Sequence, residues 1–141
     1  MTLYDIRRGL RQYLLDDSSI AAIVSDRVYH VRMPQGNRLP CIVFTRISDQ
    51  PDNHMQGPSG LAKPRVQVDS WAVDGDTAAQ LADLVKERLD GSRGQWLWGE
   101  DSPEEALVVQ GVFPLYLRDD YDDESQMYRV GRDYFIWFAE R

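Results

Sequence analysis

Arg65-Val66-Gln67-Val68-Asp69-Ser70-Trp71-Ala72 is followed closely by Asp74-Gly75-Asp76-Thr77, and the change of period between the two governs the architecture. Alternation puts Val66, Val68, Ser70 and Ala72 on one side and Arg65, Gln67, Asp69 and Trp71 on the other, as in a half-covered strand. The period then lengthens. Ala78, Leu81, Ala82, Val85 and Leu89 recur at helical spacing, Thr77 and Gln80 fit a capping box, and Gly91 is placed to stop the helix. A strand running into an amphipathic helix must bury one stripe of each, so a helix is laid against a sheet.

Upstream, Leu3, Ile6, Leu10, Tyr13 and Leu14 form the apolar stripe of an opening helix, with Thr2 as its cap and an end near Asp16. Residues 18–24 add a short second helical turn. Residues 27–31 read as a short strand, and 41–47 as a strand covered on both faces for part of its length. Residues 48–64 hold Pro51, Gly57, Pro58, Gly60 and Pro64 and few aliphatics, which predicts a long loop ordered only by a partner. Downstream, residues 95–98, 107–117 and 128–138 read as strands. The last two flank an acidic turn at 118–126 as an antiparallel hairpin, and Pro114 marks an edge, a bulge or a break.

The expectation is a single α+β domain over residues 1–141. Two main helices pack on one face of a largely antiparallel, mixed sheet of about five strands. The other face is aromatic-rich. Trp71, Trp96, Trp98, Tyr134, Phe135, Trp137 and Phe138 exceed what one small core needs, although some must be core. This predicts a partner face, with at least one large aromatic exposed in the single chain.

Composition narrows the function. With 43% hydrophobic and 28% charged residues, the 141-residue chain has a globular rather than a disordered profile. It has no apolar run of membrane-spanning length and no signal-peptide pattern. A lone cysteine, Cys41, excludes an internal disulfide and a multi-cysteine zinc site, as expected for folding in a reducing cytoplasm. The net charge is −7 and its placement is uneven. Residues 100–124 carry nine acids against Arg118 alone, leaving 14 acids and 15 bases elsewhere. No basic footprint for gripping phosphates emerges, which argues against a nucleic-acid reader.

Catalytic signatures are equally lacking. His30 sits at a strand end and reads as structural, and His54 lies in the long loop. Ser59, in Gly57-Pro58-Ser59-Gly60, has no strand leading in and no helix leading out, so it does not form a nucleophile elbow. Cys41 lacks the positive surroundings that make a thiolate. Asp119-Asp120-Tyr121-Asp122-Asp123-Glu124 lacks the glycine and spacing of a calcium loop. There is no phosphate-cradling glycine motif. The residues therefore describe an interaction or structural module without metal or cofactor.

Taken in order, the motifs resemble a known family. They are Leu3-Tyr4-Asp5-Ile6, Ile20 through Tyr29, Met33-Pro34-Gln35-Gly36, Leu39-Pro40-Cys41-Ile42-Val43-Phe44, Arg46-Ile47-Ser48-Asp49, Gly57-Pro58-Ser59-Gly60-Leu61, Arg65 through Ala72, and Tyr128 through Phe138. The set is similar to the tail-completion, or tail-to-head joining (tail terminator), proteins of long-tailed phages and prophages. The resemblance implies a non-enzymatic virion component at the head-proximal end of the tail tube, assembled in the bacterial host cytoplasm. Its implied partners are further copies in a ring, six by family expectation, together with the tail tube protein and the head–tail connector protein. DNA passes through that ring without being specifically bound, and no membrane is involved. Asp49, Met55, Gly57, Ser59, Leu61, Trp71, Asp119, Asp120, Asp122, Asp123 and Glu124 are the candidate partner-binding residues. The competing reading is another phage neck component or a generic non-enzymatic interaction domain, with a small enzyme disfavoured.

Overall fold

The computed structural model describes residues 2–49, 53–58, 60–97 and 106–139. Helix α1 (Thr2–Leu15) and short α2 (Ser18–Val24) come first. Asp17 separates them, its carboxylate accepting from the backbone N–H groups of Ser19 at 2.9 Å and Ile20 at 3.2 Å. Ile6, Leu10 and Leu14 are buried, which bears out the opening stripe. Leu3 and the Thr2 cap lie outside the described side chains.

The strands are β1 (Val28–His30), β2 (Cys41–Ser48), β3 (Asn53–His54), β4 (Gly57–Pro58), β5 (Leu61–Ala62), β6 (Arg65–Ala72), β7 (Gly94–Leu97), β8 (Ala106–Asp122) and β9 (Met127–Ala139). Helix α3 (Gly75–Leu89) lies between β6 and β7. Seven strands form one sheet in the order β1-β2-β6-β9-β8-β7, with β5 also pairing β9, while β3 and β4 make a separate ribbon. β1 runs parallel to β2 and the other pairs are antiparallel. The α+β class stands, but the sheet is larger than the five or so strands expected: all six segments read as strands join it, and β5, in the stretch read as a loop, adds a seventh. Alternate positions Ile42, Phe44, Val66, Val68, Tyr134, Ile136 and Phe138 join Ile6, Leu10, Ile20, Leu81 and Leu89 of the helices in one core.

Local readings were displaced where two signals competed. α3 begins at Gly75, not Thr77, because Asp74 is its cap, accepting from the N–H groups of Asp76 at 2.9 Å and Thr77 at 3.4 Å. The Thr77 hydroxyl donates to the other Asp74 oxygen at 2.5 Å, so the residue read as the cap supports the true one. These hydrogen bonds, Thr77's foremost, hold the Asp74 carboxyl below its usual value. Gly91, at φ +71, ends the helix as expected.

The described residues of 48–64 do not form a featureless loop; residues 50–52 and 59 lie outside the described residues. β2 runs through Ser48, β3 and β4 pair across a turn, and Leu61 and Ala62 pair with Ala139 and Phe138. Backbone pairing supplies order that the side chains do not advertise. Nor is 118–126 a turn throughout. β8 pairs with β9 as far as Asp122↔Met127, and only the intervening tip reverses the chain. The Asp120 carboxylate pairs with Arg129 at 2.6 Å, and the Tyr121 and Tyr128 rings lie 4.7 Å apart, so cross-strand partners carry the strands through the acidic run. Pro114 sits at the register shift between Pro114 and Leu117, as its chemistry requires.

Candidate partner-binding surfaces

The polar face of β6 continues across β9 and β8. Arg65, Gln67, Asp69 and Trp71 stand opposite Phe135, Asp133, Gly131 and Arg129 respectively, and Arg118 and Asp120 of β8 follow in register. Asp133 is its hub. Arg65 donates to one carboxylate oxygen through Nε at 2.9 Å and Nη2 at 2.6 Å, and Arg118 Nη2 donates to the other at 3.1 Å. Burial alone would raise the Asp133 pKa, but the two guanidinium groups outweigh it and hold the carboxyl below its usual range. Asp69 goes the other way. Burial raises it, against an opposing hydrogen bond from Gln67 and the charges of Arg129 and Arg118.

Gly131 fits between them. A Cβ there would overlap Asp69 Oδ1, which explains a glycine inside a strand interior where it otherwise weakens the sheet. Gly131→Ala is expected to cost about 2 kcal/mol by forcing that buried carboxylate off its Gln67 partner. In an Asp69→Ser background the same change should cost distinctly less by urea denaturation. Equal costs in both backgrounds would show that the carboxylate does not set the limit.

The aromatic expectation divides. Trp96, Tyr134 and Phe138 are core residues, correcting their place on a partner face. Trp71 and Trp137 are half-buried and carry cations from their own chain: Arg129 at 5.4 Å from the Trp71 ring, and Lys63 Nζ at 4.6 Å from that of Trp137. Trp98 lies outside the described residues. Exposed aromatics occur instead on β8, where Tyr116 is 72% and Phe113 46% accessible. Their run of apolar neighbours hid them. The clue was that a strand continuing beyond a short partner has a bare edge.

Among the candidate residues, Asp119, Asp120, Asp122, Asp123 and Glu124 cluster at the exposed end of the β8–β9 hairpin. Asp122 braces the tip, accepting from the Ser125 hydroxyl at 2.7 Å and from Glu124 N–H at 3.2 Å. Met55, fully exposed, lies in the turn between β3 and β4, and Gly57 follows it at φ +126. Asp49 pairs with Arg46 at 3.4 Å, Leu61 belongs to β5, and Trp71 lies on the polar face of β6. Ser59 lies outside the described residues. The candidates thus divide among the hairpin end, the 48–62 segment and the β6 face.

His30 is half-buried with its ring 5.3 Å from that of Phe44. Burial, then the charges of Arg7 and Arg46, lower its pKa. The His54 side chain is outside the described residues. Cys41 is buried, and burial pushes its thiol up to about 11, the opposite of activation. Among the described residues no group of three His, Cys, Asp or Glu could hold a metal, and no helix is long and apolar enough to cross a membrane.

A family model described as "Tail completion protein gp17" matches residues 8–139 of the chain. No curated protein matches it. Among solved structures, a chain of the "Virion of native gene transfer agent (GTA) particle" is similar with a TM-score of 0.64, covering 91% of this chain and 90% of that one. The two are 19% identical, so the likeness is one of fold.

Proposed function

The chain belongs to the tail completion protein gp17 family, and from that premise we propose that it closes the head-proximal end of a phage tail tube as a ring around the DNA passage. The family match over residues 8–139 is the observation that carries this reading. A structural, tail-completing role and a place in the tail or neck of the virion go with membership. The finer reading is that the ring joins the tail tube protein on one side to the head–tail connector protein on the other. That the similar solved chain comes from a virion particle supports such a setting.

In this reading the chain is not an enzyme and needs no cofactor. A raised thiol pKa at Cys41 and a half-buried His30 beside Phe44 offer no poised nucleophile or base. The helices form a layer on the sheet face whose alternate residues share their core, leaving the strand edges at the sheet margins for partners. Asp49, Met55, Gly57, Ser59 and Leu61 are assigned to contacts with the neighbouring tail or head protein, and Trp71 and the acidic hairpin end to contacts within the assembly. A net charge of −7 also suits a passage through which DNA slides without being held.

Size constrains the ring. A compact domain of this length behaves as a ball roughly 37 Å across. Three such balls leave a hole about 6 Å wide and four about 15 Å, whereas five leave about 26 Å and six about 37 Å. A duplex is roughly 20 Å across. The expected assembly on tails is therefore a cyclic head-to-tail ring of at least five copies, six by family analogy. Native mass spectrometry and negative-stain microscopy of protein bound to tail tubes test this. An obligate two-fold dimer would rule it out, because its isologous interface does not propagate around a ring.

A further inference from the structure

We propose that the free edge of β8 in one copy lies against the segment following β1 in the next; this rests on the ring reading above. The two surfaces lie at opposite margins of one sheet. β7 covers one edge of β8 only from Ala106 to Val109, and Gly91 N–H reaches the Val112 carbonyl at 3.2 Å. Beyond that, among the described residues, the same edge has no strand partner from Phe113 to Asp122, while β9 holds the opposite edge. Such an edge presents unpaired backbone N–H and C=O groups and invites another chain. Tyr116 and Leu117, 72% and 52% accessible, give it an apolar centre. Asp119, Asp123 and Glu124 at its end are exposed and have no cation partner among the described residues.

The opposite margin is complementary. β1 is a three-residue edge strand, and residues 27–46 hold four arginines and no acid. Arg27 is committed to the carbonyls of Pro40 and Ile23, and Arg46 to Asp49, but Arg32 and Arg38 are exposed and without a carboxylate among the described residues. Between β1 and Arg32 stands Val31, 55% accessible, at φ +74. A β-branched residue rarely adopts that conformation, and strain of this kind concentrates at contact and switch positions. The segment is tied down rather than loose: Tyr29 Oη donates to Asn37, and Asn37 N–H donates to the Pro34 carbonyl at 3.2 Å. Each surface therefore sets an apolar centre beside charge of one sign, and the signs are opposite. A contact between different patches of identical copies repeats in one direction, the type of contact from which a closed ring is built when the rotation between copies returns on itself.

Charge exchange tests the pairing on tails made without this chain. One variant carries Arg32→Glu and Arg38→Glu. The other carries Asp119→Lys, Asp123→Lys and Glu124→Lys. All five positions are exposed, so thermal melts matching wild type serve as the folding control. Each variant alone should lower ring assembly by about tenfold or more, because every contact then sets like charges together. An equal mixture should restore assembly through alternating copies, as should the chain carrying all five changes. If both variants assemble like wild type in rings, the contact is wrong while the ring stands. If each fails and the mixture also fails, the patches face the tube or connector instead, and the proposal is overturned. If wild type itself binds singly or as a two-fold dimer, the ring reading falls and the contact with it.

Discussion

Trp96→Ala should cost about 4 kcal/mol of folding stability, because it removes a buried indole from the junction of three elements. Trp96 on β7 is 1% accessible and stacks on Tyr13 of α1, with ring centroids 4.3 Å apart and planes 12° from parallel. Its Nε1–H donates to Ser92 Oγ at 3.3 Å, and Ser92 Oγ donates to Tyr13 Oη at 2.6 Å. Tyr13 Oη in turn donates to the Arg88 carbonyl of α3 at 3.1 Å, while Arg88 Nε donates to the Tyr13 carbonyl at 3.0 Å. The Arg88 guanidinium also lies 3.8 Å from the Tyr13 ring centroid. Truncation therefore leaves a cavity and strips Tyr13 of its stacking partner at once. Trp96→Phe keeps an aromatic face but loses the N–H, so about 1–2 kcal/mol is expected. Urea denaturation at neutral pH separates the two. A loss below about 1.5 kcal/mol for the alanine variant would mean that α1 and β7 collapse into the gap, contrary to the close packing of the Tyr13–Trp96 stack.

The parts of the fold written locally were readable, and the parts written across long separations were not. β6 and α3 follow from a change of period within one stretch, and the buried Val66, Val68, Leu81, Val85 and Leu89 bear that out. The α3 cap was misplaced by three residues because Asp74 and Thr77 are both capping types and only geometry shows which accepts the backbone hydrogens. The acidic run read as a turn because consecutive carboxylates favour solvent. What keeps it in strand is Arg129 opposite Asp120 and Tyr128 opposite Tyr121, partners visible only once the hairpin register is known. The Asp133 hub is less local still, since Arg65 lies 68 positions away.

These long-range pairs also bear on the proposed partner surfaces. Surplus aromatics on the sheet face away from the helices suggested a docking face. In the structure that face satisfies itself: Arg65 and Arg118 meet Asp133, Gln67 meets Asp69, and Arg129 and Lys63 lie over Trp71 and Trp137. Displacing such an internally paired network to admit a partner would cost its ion pairs and cation–π contacts. Among the described residues, the unpaired strand edge and the exposed arginines without a carboxylate partner lie at the margins instead, along β8 and after β1. A chain whose free valences lie at opposite sheet margins is suited to joining copies in series.

Asp133→Ala should destabilise the fold by about 2–3 kcal/mol at neutral pH. Removing one partner of a buried ion pair costs roughly 3–5 kcal/mol, and the value is discounted here because the arginines retain water. Their side chains are 31% and 42% accessible, against 4% for Asp133. The penalty should depend on pH in a definite sense. The Asp133 pKa is lower folded than unfolded, so its stabilisation is complete above the unfolded carboxyl value of about 4 and fades as pH falls below that toward the folded value. Asp69, raised by burial, has the opposite sign: its ion costs stability at neutral pH, and the cost is relieved as acid titrates it from above that same value. On acidification wild type should first gain through Asp69 and then lose through Asp133. Asp69→Asn should flatten the first limb, and Asp133→Ala the second. Urea denaturation from pH 7 down to about pH 3 reads both. The gap between wild type and Asp133→Ala should narrow below about pH 4. A gap of constant size across the range would show that Asp133 acts by filling space rather than by carrying the charge that holds Arg65 and Arg118.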